Sequence, residues 1–488
     1  MDLPELLKNK IIEDVFRSHH NAEWSLLIYD SHAAAIMKNI FVKSEFINHN
    51  IVISQRIEEQ RMPVDFPVIY FVRGEEDVAN TINRDFDSKM YSSFVVCTLE
   101  RCEWLNPLIK TKVVDTDFVA VEQRVFKCSP DRLYSVGKTL NSVFNVSYSG
   151  YVCRKPAEMF DEAAHNDSRR GEMIILDRSV DLFSPFMHFF TFRTLLEDLG
   201  VEEVEVFSQE YMRDKIWESV RCVHLGEVNE TLRHHAHILS KIAQRLDTKV
   251  DNKELMKMVL DAPAASKTKE SLSRLIRMAQ KCYNKFDYLS RFVGIEQQLS
   301  TGYESDGSKW KMKVDEVFEH LCNGRIEKPD RVRILMLLKA NGYKLQENEK
   351  EMLKHAGFTS KEIGLEFENQ ELFVPLKEKI DHRYEVSRYE PVLSNVLKSF
   401  IEKKQGHIDV SCLTHSRAHL KSLRKSYLLS VKRDVLHKKV YCVYIIGGMT
   451  FEEIRVVYEL SESLGVEIVI GSDRIIVPRV YAEELARE

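Results

Sequence analysis

Short apolar runs bounded by charge alternate, in the first third of the chain, with stretches where apolar residues recur every three or four positions. Trp24–Asp30 is the first such run; Ile51–Ser54, Val68–Val72, Phe94–Thr98 and Val113–Val121 follow. Runs of this length read as buried strands, and the periodic stretches Leu3–Phe16, Ser31–Phe41 and Asp77–Phe86 read as helices. Strand–helix alternation predicts a parallel sheet with helices on both faces. The pattern continues with a helix over Leu133–Phe144 and a strand over Met173–Leu176. Pro185 disfavours helix through Ser184. Phe189, Phe192, Leu195, Leu196 and Leu199 then fall at helical spacing, predicting a helix over Phe186–Leu199 that stops at Gly200.

From Ser208 the strand signal disappears. Ile216, Val220 and Val223 share one helical face, and Leu272, Leu275, Ala279, Cys282, Phe286 and Leu289 share another. Pro263 predicts a break in this helical tract. Asp330 is placed to cap a helix over Arg331–Ala340, and Glu347–Ala356 repeats the pattern, with Gly342 and Gly357 as stops. The carboxyl end returns to α/β: strand Val440–Ile446, a tight turn at Gly447-Gly448, helix Thr450–Leu464, and strand Glu467–Ile470. Pro478 then closes the segment before a last helix, Tyr481–Ala486.

Composition narrows the function. The 488 residues are 44% hydrophobic and 30% charged, enough for several domains with ample cores. A formal net charge of −5 argues against nucleic-acid binding by bulk charge. Nine cysteines without a C-x-x-C pair suit free thiols in a reducing cytoplasm. The amino terminus does not read as a signal peptide, and no apolar run approaches the roughly 18 residues of a membrane span. Contact with a membrane is therefore expected only through a partner.

Motifs that would mark an enzyme are incomplete. Gly137-Lys138-Thr139 lacks the upstream glycine that lets a loop wrap a phosphate. Gly447-Gly448 opens a helix, but Glu452 and Glu453 occupy its first turn and would repel an anion. His234, His235 and His237 lack a third ligand on one face. No cofactor is expected. The basic tract Arg417–Lys439 reads first as a solvated surface, with an acidic partner or anionic lipid as the alternative. Asp177, Arg178 and Asp181 follow the Met173–Leu176 strand, and read first as a salt-bridged corner and second as a ligand site. A nucleotide-dependent α/β enzyme acting at Asp30, Asp177 and the Gly447-Gly448 turn is the competing class.

The stretch LDRSVDLFSPFMH, carrying Leu176, Asp177, Arg178, Asp181, Pro185 and His188, resembles the signature of the SM (Sec/Munc) family of syntaxin-binding proteins. GIEQQLSTG, DRVRILMLLKANGY, EVSRYEPVL and the closing strand–Gly-Gly–helix–strand segment extend the resemblance over most of the chain. It implies an arch-shaped, three-domain α/β fold: two parallel-sheet domains, with a mostly helical domain inserted in the second. The corresponding boundaries are 1–127, then 128–203 with 380–488, and 204–379 for the insert.

The resemblance also implies a non-enzymatic protein, a monomer, that binds a syntaxin-type SNARE and the assembled SNARE complex. It would chaperone assembly and promote vesicle fusion. The expected location is the cytoplasm, with peripheral recruitment to the plasma membrane or secretory vesicles. YEVSRYEPVLSNVLKSF and DRVRILMLLKANGY look closest to the exocytic branch; the endoplasmic reticulum–Golgi and endosomal branches are the alternatives. Carried over residue by residue, the syntaxin cleft falls on Arg56, Glu58, Glu59 and Arg61. A pocket for a syntaxin amino-terminal peptide falls on Trp104, Leu105, Leu108 and Ile109, and the SNARE-templating hairpin falls around Pro263.

Overall fold

The structure is a computed structural model. It describes residues 1–18, 24–140, 143–163, 170–201, 214–246, 252–367, 386–403, 411–412 and 439–487. The chain divides into two compact units. The first comprises Met1–Asp177, Ile408–Met449 and Val457–Arg474; the second comprises Arg178–His407, Thr450–Val456 and Ile475–Glu488.

The first unit holds two sheets. Strands β1 (Ser25–Tyr29), β2 (Ile51–Arg56), β3 (Pro67–Val72), β4 (Ser93–Thr98) and β5 (Lys110–Val113) form a parallel sheet in the order β2-β1-β3-β4-β5. Every residue of the central strand β3 is buried, as expected when helices cover both faces. The strand expected over Val113–Val121 is two strands in different sheets, because Val114–Phe118 crosses between them.

The second sheet contains β6 (Val119–Glu122), β7 (Val125–Lys127), β8 (Val143–Tyr148), β9 (Arg170–Asp177), β10 (Ser411–Cys412), β11 (Val440–Ile446) and β12 (Glu467–Ser472). Their order is β10-β8-β9-β11-β12-β7-β6. The expected boundary at 127 therefore needs correction: β7 pairs with β12, so Val119–Lys127 belongs to the second sheet. The helix expected over Leu133–Phe144 ends at Thr139. Val143–Tyr148 alternates apolar and polar residues and is a strand, with Phe144 and Val146 buried.

The second unit, among the described residues, is almost wholly helical. Its core gathers Phe183, Phe186, Phe190, Phe192 and Trp217 with Leu335, Leu337 and Leu338. Phe186–Thr191 is buried but not helical, and the helix there covers only Phe192–Asp198. A continuous apolar run satisfies either backbone, so periodicity alone could not separate them. Helix Lys328–Ala340 starts three residues earlier than expected, with Pro329 in its first turn. Asp330 is thus freed from capping and faces the interior. Pro478 likewise begins the last helix, Pro478–Arg487, because a proline at the first helical position lacks only an amide that would go unpaired anyway.

Candidate functional site

The signature motif folds into a buried ionic corner. Arg178 leaves β9 through a single 3-10 turn and donates two hydrogen bonds to Glu453, at 2.8 and 2.7 Å. Its Nε donates to the Asp181 carbonyl at 3.1 Å. Burial opposes the charge of Arg178, but Glu453 outweighs it and keeps the guanidinium pKa above its ordinary value. Asp181 is 1% exposed, and its carboxylate accepts from the amides of Phe183, Ser184 and Val392 and from the hydroxyls of Ser184 and Tyr389. Burial, with Asp181 alongside, raises the Tyr389 phenol well above its usual pKa.

His188 anchors a second cluster. Its Nδ1 lies 2.9 and 3.0 Å from the two oxygens of Glu296, and its Nε2 lies 3.5 Å from Asp330. Asp330 also accepts from the Tyr288 hydroxyl at 2.6 Å. Arg333 donates from Nη1 to both oxygens of Asp198, at 3.0 and 2.9 Å, and from Nε to the Phe186 carbonyl. Burial and Arg333 disfavour a charge on His188, but Glu296 and Asp330 win and push its pKa up to about 9. Burial would raise Asp330; the opposing His188 and Arg333 hold it well below the usual carboxylate range.

These partners come from the stretches that resembled the family separately. Glu296 lies in GIEQQLSTG, Asp330 and Arg333 in DRVRILMLLKANGY, Tyr389 in EVSRYEPVL, and Glu453 in the closing segment. No local pattern shows that they meet; only the fold does. Arg178, Asp181 and His188 thus sit in buried, paired networks within the second unit.

The enzyme-like motifs resolve in the same direction. Gly137-Lys138-Thr139 lies within helix Leu133–Thr139, Gly137 abuts the Phe160 ring, and Lys138 pairs with Asp115 at 2.8 Å. Gly447 and Gly448 have φ of 96° and 114°, a region open to glycine. The Gly447 amide donates to Asp473 at 2.8 Å, so a carboxylate already holds the amide a phosphate would need. His235 bonds Ser219, and among the described residues no His, Cys, Asp and Glu group is placed to hold a metal.

The residues carried over as binding sites divide into exposed and buried. Arg56, Glu58 and Glu59 are exposed at the carboxyl end of β2. Arg61 is turned inward, its side chain 8% exposed and paired with Asp85, which also accepts from Tyr70 at 2.7 Å. Trp104 and Leu108 are 52% and 82% exposed, while Leu105 and Ile109 are buried. Asn83 pins this loop by donating to the Trp104 carbonyl and accepting from the Asn106 amide.

Helix Asn252–Leu289 runs unbroken through Pro263, against expectation, and packs on helix Leu225–Leu246. The Tyr283 hydroxyl donates to the Leu225 carbonyl at 2.5 Å, which sets the pair antiparallel. The two helices thus form a hairpin whose connection, 247–251, lies outside the described residues. Arg417–Lys438 also lies outside them; Lys439 pairs with Glu172 at 2.8 Å.

The model of the Sec1 family matches residues 25–484. The protein transport protein sec1 of Dictyostelium discoideum is 23% identical, covering 99% of this chain and 98% of the relative. The protein transport protein sec1 of Schizosaccharomyces pombe is 23% identical, covering 97% and 83%. The SEC1 family transport protein SLY1 of Encephalitozoon cuniculi is also 23% identical, covering 99% and 98%. In fold, the chain matches the Unc18–syntaxin 1 complex structure from Monosiga brevicollis with a TM-score of 0.80 at 19% identity, over 100% of this chain and 99% of that one. It matches the SM protein Vps45 in complex with the Qa SNARE Tlg2 with a TM-score of 0.76 at 14% identity, over 99% and 98%. With the family model spanning nearly the whole chain, and one buried network joining its dispersed motifs, this chain belongs to the Sec1 family, the SM proteins.

Proposed function

We propose that this chain binds a syntaxin-type SNARE and the assembled SNARE complex, chaperones their assembly, and acts in vesicle transport at the exocytic step. It is a binding regulator and not an enzyme. The observation that carries the reading is family membership across residues 25–484, because relatives of this fold are known as complexes with syntaxin 1 and with the Qa SNARE Tlg2. A three-part division of labour goes with it: a first sheet domain ending before Val119, a second sheet domain, and the helical insert. Arg56, Glu58 and Glu59 form the charged part of the cleft surface, and Arg61 holds their loop in place through Asp85. Trp104 and Leu108 offer apolar anchors for a short peptide, on a base made by Leu105 and Ile109. The hairpin of helices Leu225–Leu246 and Asn252–Leu289 is the templating element.

No described helix is long and apolar enough to cross a membrane, so recruitment to the plasma membrane or a secretory vesicle would run through the SNARE. The test is retention of SNAREs from a detergent extract of the source cell, with the wild type and with the pair Arg56→Glu, Glu59→Lys. Retention of a plasma-membrane syntaxin, lost in the double variant, supports the reading. Retention of a Golgi or endosomal syntaxin instead assigns another transport step. Retention of no SNARE overturns the function.

A further inference from the structure

The helical hairpin is tied at its base by two tyrosines of its second helix, Asn252–Leu289. Tyr283 holds that helix to the other one, through the Leu225 carbonyl. Tyr288, one residue before the helix ends, reaches the start of a third helix, Lys328–Ala340. Its hydroxyl donates to the Asp330 carboxylate at 2.6 Å and accepts from the Glu327 amide at 2.8 Å. Burial and the Asp330 carboxylate raise the phenol above its ordinary pKa, so the hydroxyl keeps the proton it donates.

Both partners belong to one helix cap. Glu327 is the cap residue, and Asp330 occupies the third position of the helix. In a capping box the side chain at that position, usually Glu or Gln, reaches back to the cap amide. Asp330 is one methylene shorter than Glu, and the Tyr288 hydroxyl stands between it and the amide, closing the box as a relay. The Glu327 side chain is engaged elsewhere, on Arg479 at 2.8 Å and Lys285 at 3.8 Å. The Tyr288 ring packs edge-on against Phe292, which packs in turn on His188. Burial of Leu275, Cys282 and Leu289 holds the hairpin helix to the core, but apolar burial is non-directional. Two short hydrogen bonds to a helix start are directional.

We propose that Tyr288 is a positioning residue: its hydroxyl locks the second helix of the hairpin onto the cap of helix Lys328–Ala340, and so sets the orientation in which the hairpin receives SNAREs. This rests on the reading of the hairpin as the templating element and names what holds it in place. The lock is a single hydroxyl, so it can be removed while the ring stays. It lies in the second unit, whereas Arg56, Glu58 and Glu59 lie in the first. Its loss therefore separates SNARE assembly from binding at the cleft surface.

The test uses the full chain, as wild type and as Tyr288→Phe. It reads amide hydrogen exchange, retention of the syntaxin-type SNARE, and the rate at which the SNAREs retained by the wild type assemble in the presence of each protein. Tyr288→Phe is expected to speed exchange at the Glu327 amide and at Asp287, Tyr288 and Leu289 by about tenfold. It should slow assembly to a similar degree and leave syntaxin retention unchanged. Unchanged exchange overturns the inference, and so does faster exchange without slower assembly. Assembly that slows only in step with lost retention is general destabilisation and also overturns it. The wild type decides even if Tyr288→Phe fails to fold: the Glu327 amide and the last turn of the hairpin helix should show the same protection, as parts that open together. A last turn that opens while Glu327 stays protected overturns the inference. If the wild type does not speed assembly, the templating reading fails first and the inference fails with it; the exchange results keep the two failures apart.

Discussion

Two charged regions of this molecule behave in opposite ways. Around Asp181 and His188, in the second unit, carboxylates and cations are almost wholly out of water, each held by partners drawn from distant parts of the chain. At the end of β2 and in the turn after it, in the first unit, Arg56, Glu58 and Glu59 stand in solvent, while Arg61, in the same stretch, is buried on Asp85. A buried charge is tolerated only when paired, and a lost partner leaves the other stranded. The residues most conspicuous in the sequence therefore hold the fold. Those left free to meet another protein are inconspicuous surface charges and apolar side chains.

The contrast breaks most sharply at Asp181. Asp181→Ala strips the acceptor from Tyr389, Ser184 and several amides, and should cost about 3–5 kcal/mol of unfolding free energy in urea titration. Glu58→Ala, equally acidic but exposed, should stay within about 0.5 kcal/mol.

His188 gives the next largest effect, and it depends on pH. Its pKa is raised from 6.5 to about 9, so the folded state holds a proton that the unfolded chain releases. The stabilisation is fully present below pH 6.5 and is lost as pH rises through 9. It should amount to a few kcal/mol, on the order of 1.4 per pKa unit. His188→Gln should flatten the fall in stability across that window, measured by melts at several pH values.

Arg61 sharpens the comparison within one loop. Arg61→Ala leaves Asp85 and Tyr70 without their cation and should cost about 1–3 kcal/mol. Arg56→Ala should leave the melting temperature almost unmoved while weakening SNARE retention.

The smallest expected effect is at Leu108. Leu108→Ser should change stability by less than about 0.5 kcal/mol, against about 2 kcal/mol for the buried neighbour Ile109→Ser. Equal losses from the two would show that Leu108 is core after all.

Strands with strong β-branched runs are legible in the residue pattern alone. Val440–Ile446 lies where its apolar run predicts, and β3 and β4 extend theirs by a single residue. Short-range grammar serves as well at the helix stops Gly342 and Gly357, where φ is 77° and 89°. It serves poorly at proline. Pro263 lies inside an unbroken helix, and Pro329 and Pro478 open helices instead of preceding them. Whether a proline breaks or starts a helix depends on where the unpaired amides fall, which residue spacing does not reveal.

Periodicity, composition and the dispersed motifs are thus enough to establish an α/β chain with a helical insert, and to bring the SM family into view. Hydrophobic patterning is local, and it survives in any chain that folds this way. The pairing of Arg178 with Glu453, of His188 with Glu296 and Asp330, and of Arg61 with Asp85 is not contained in that pattern. Which charges are neutralised and which are left free depends on contacts between residues tens to hundreds of positions apart, and chain folding alone brings those together.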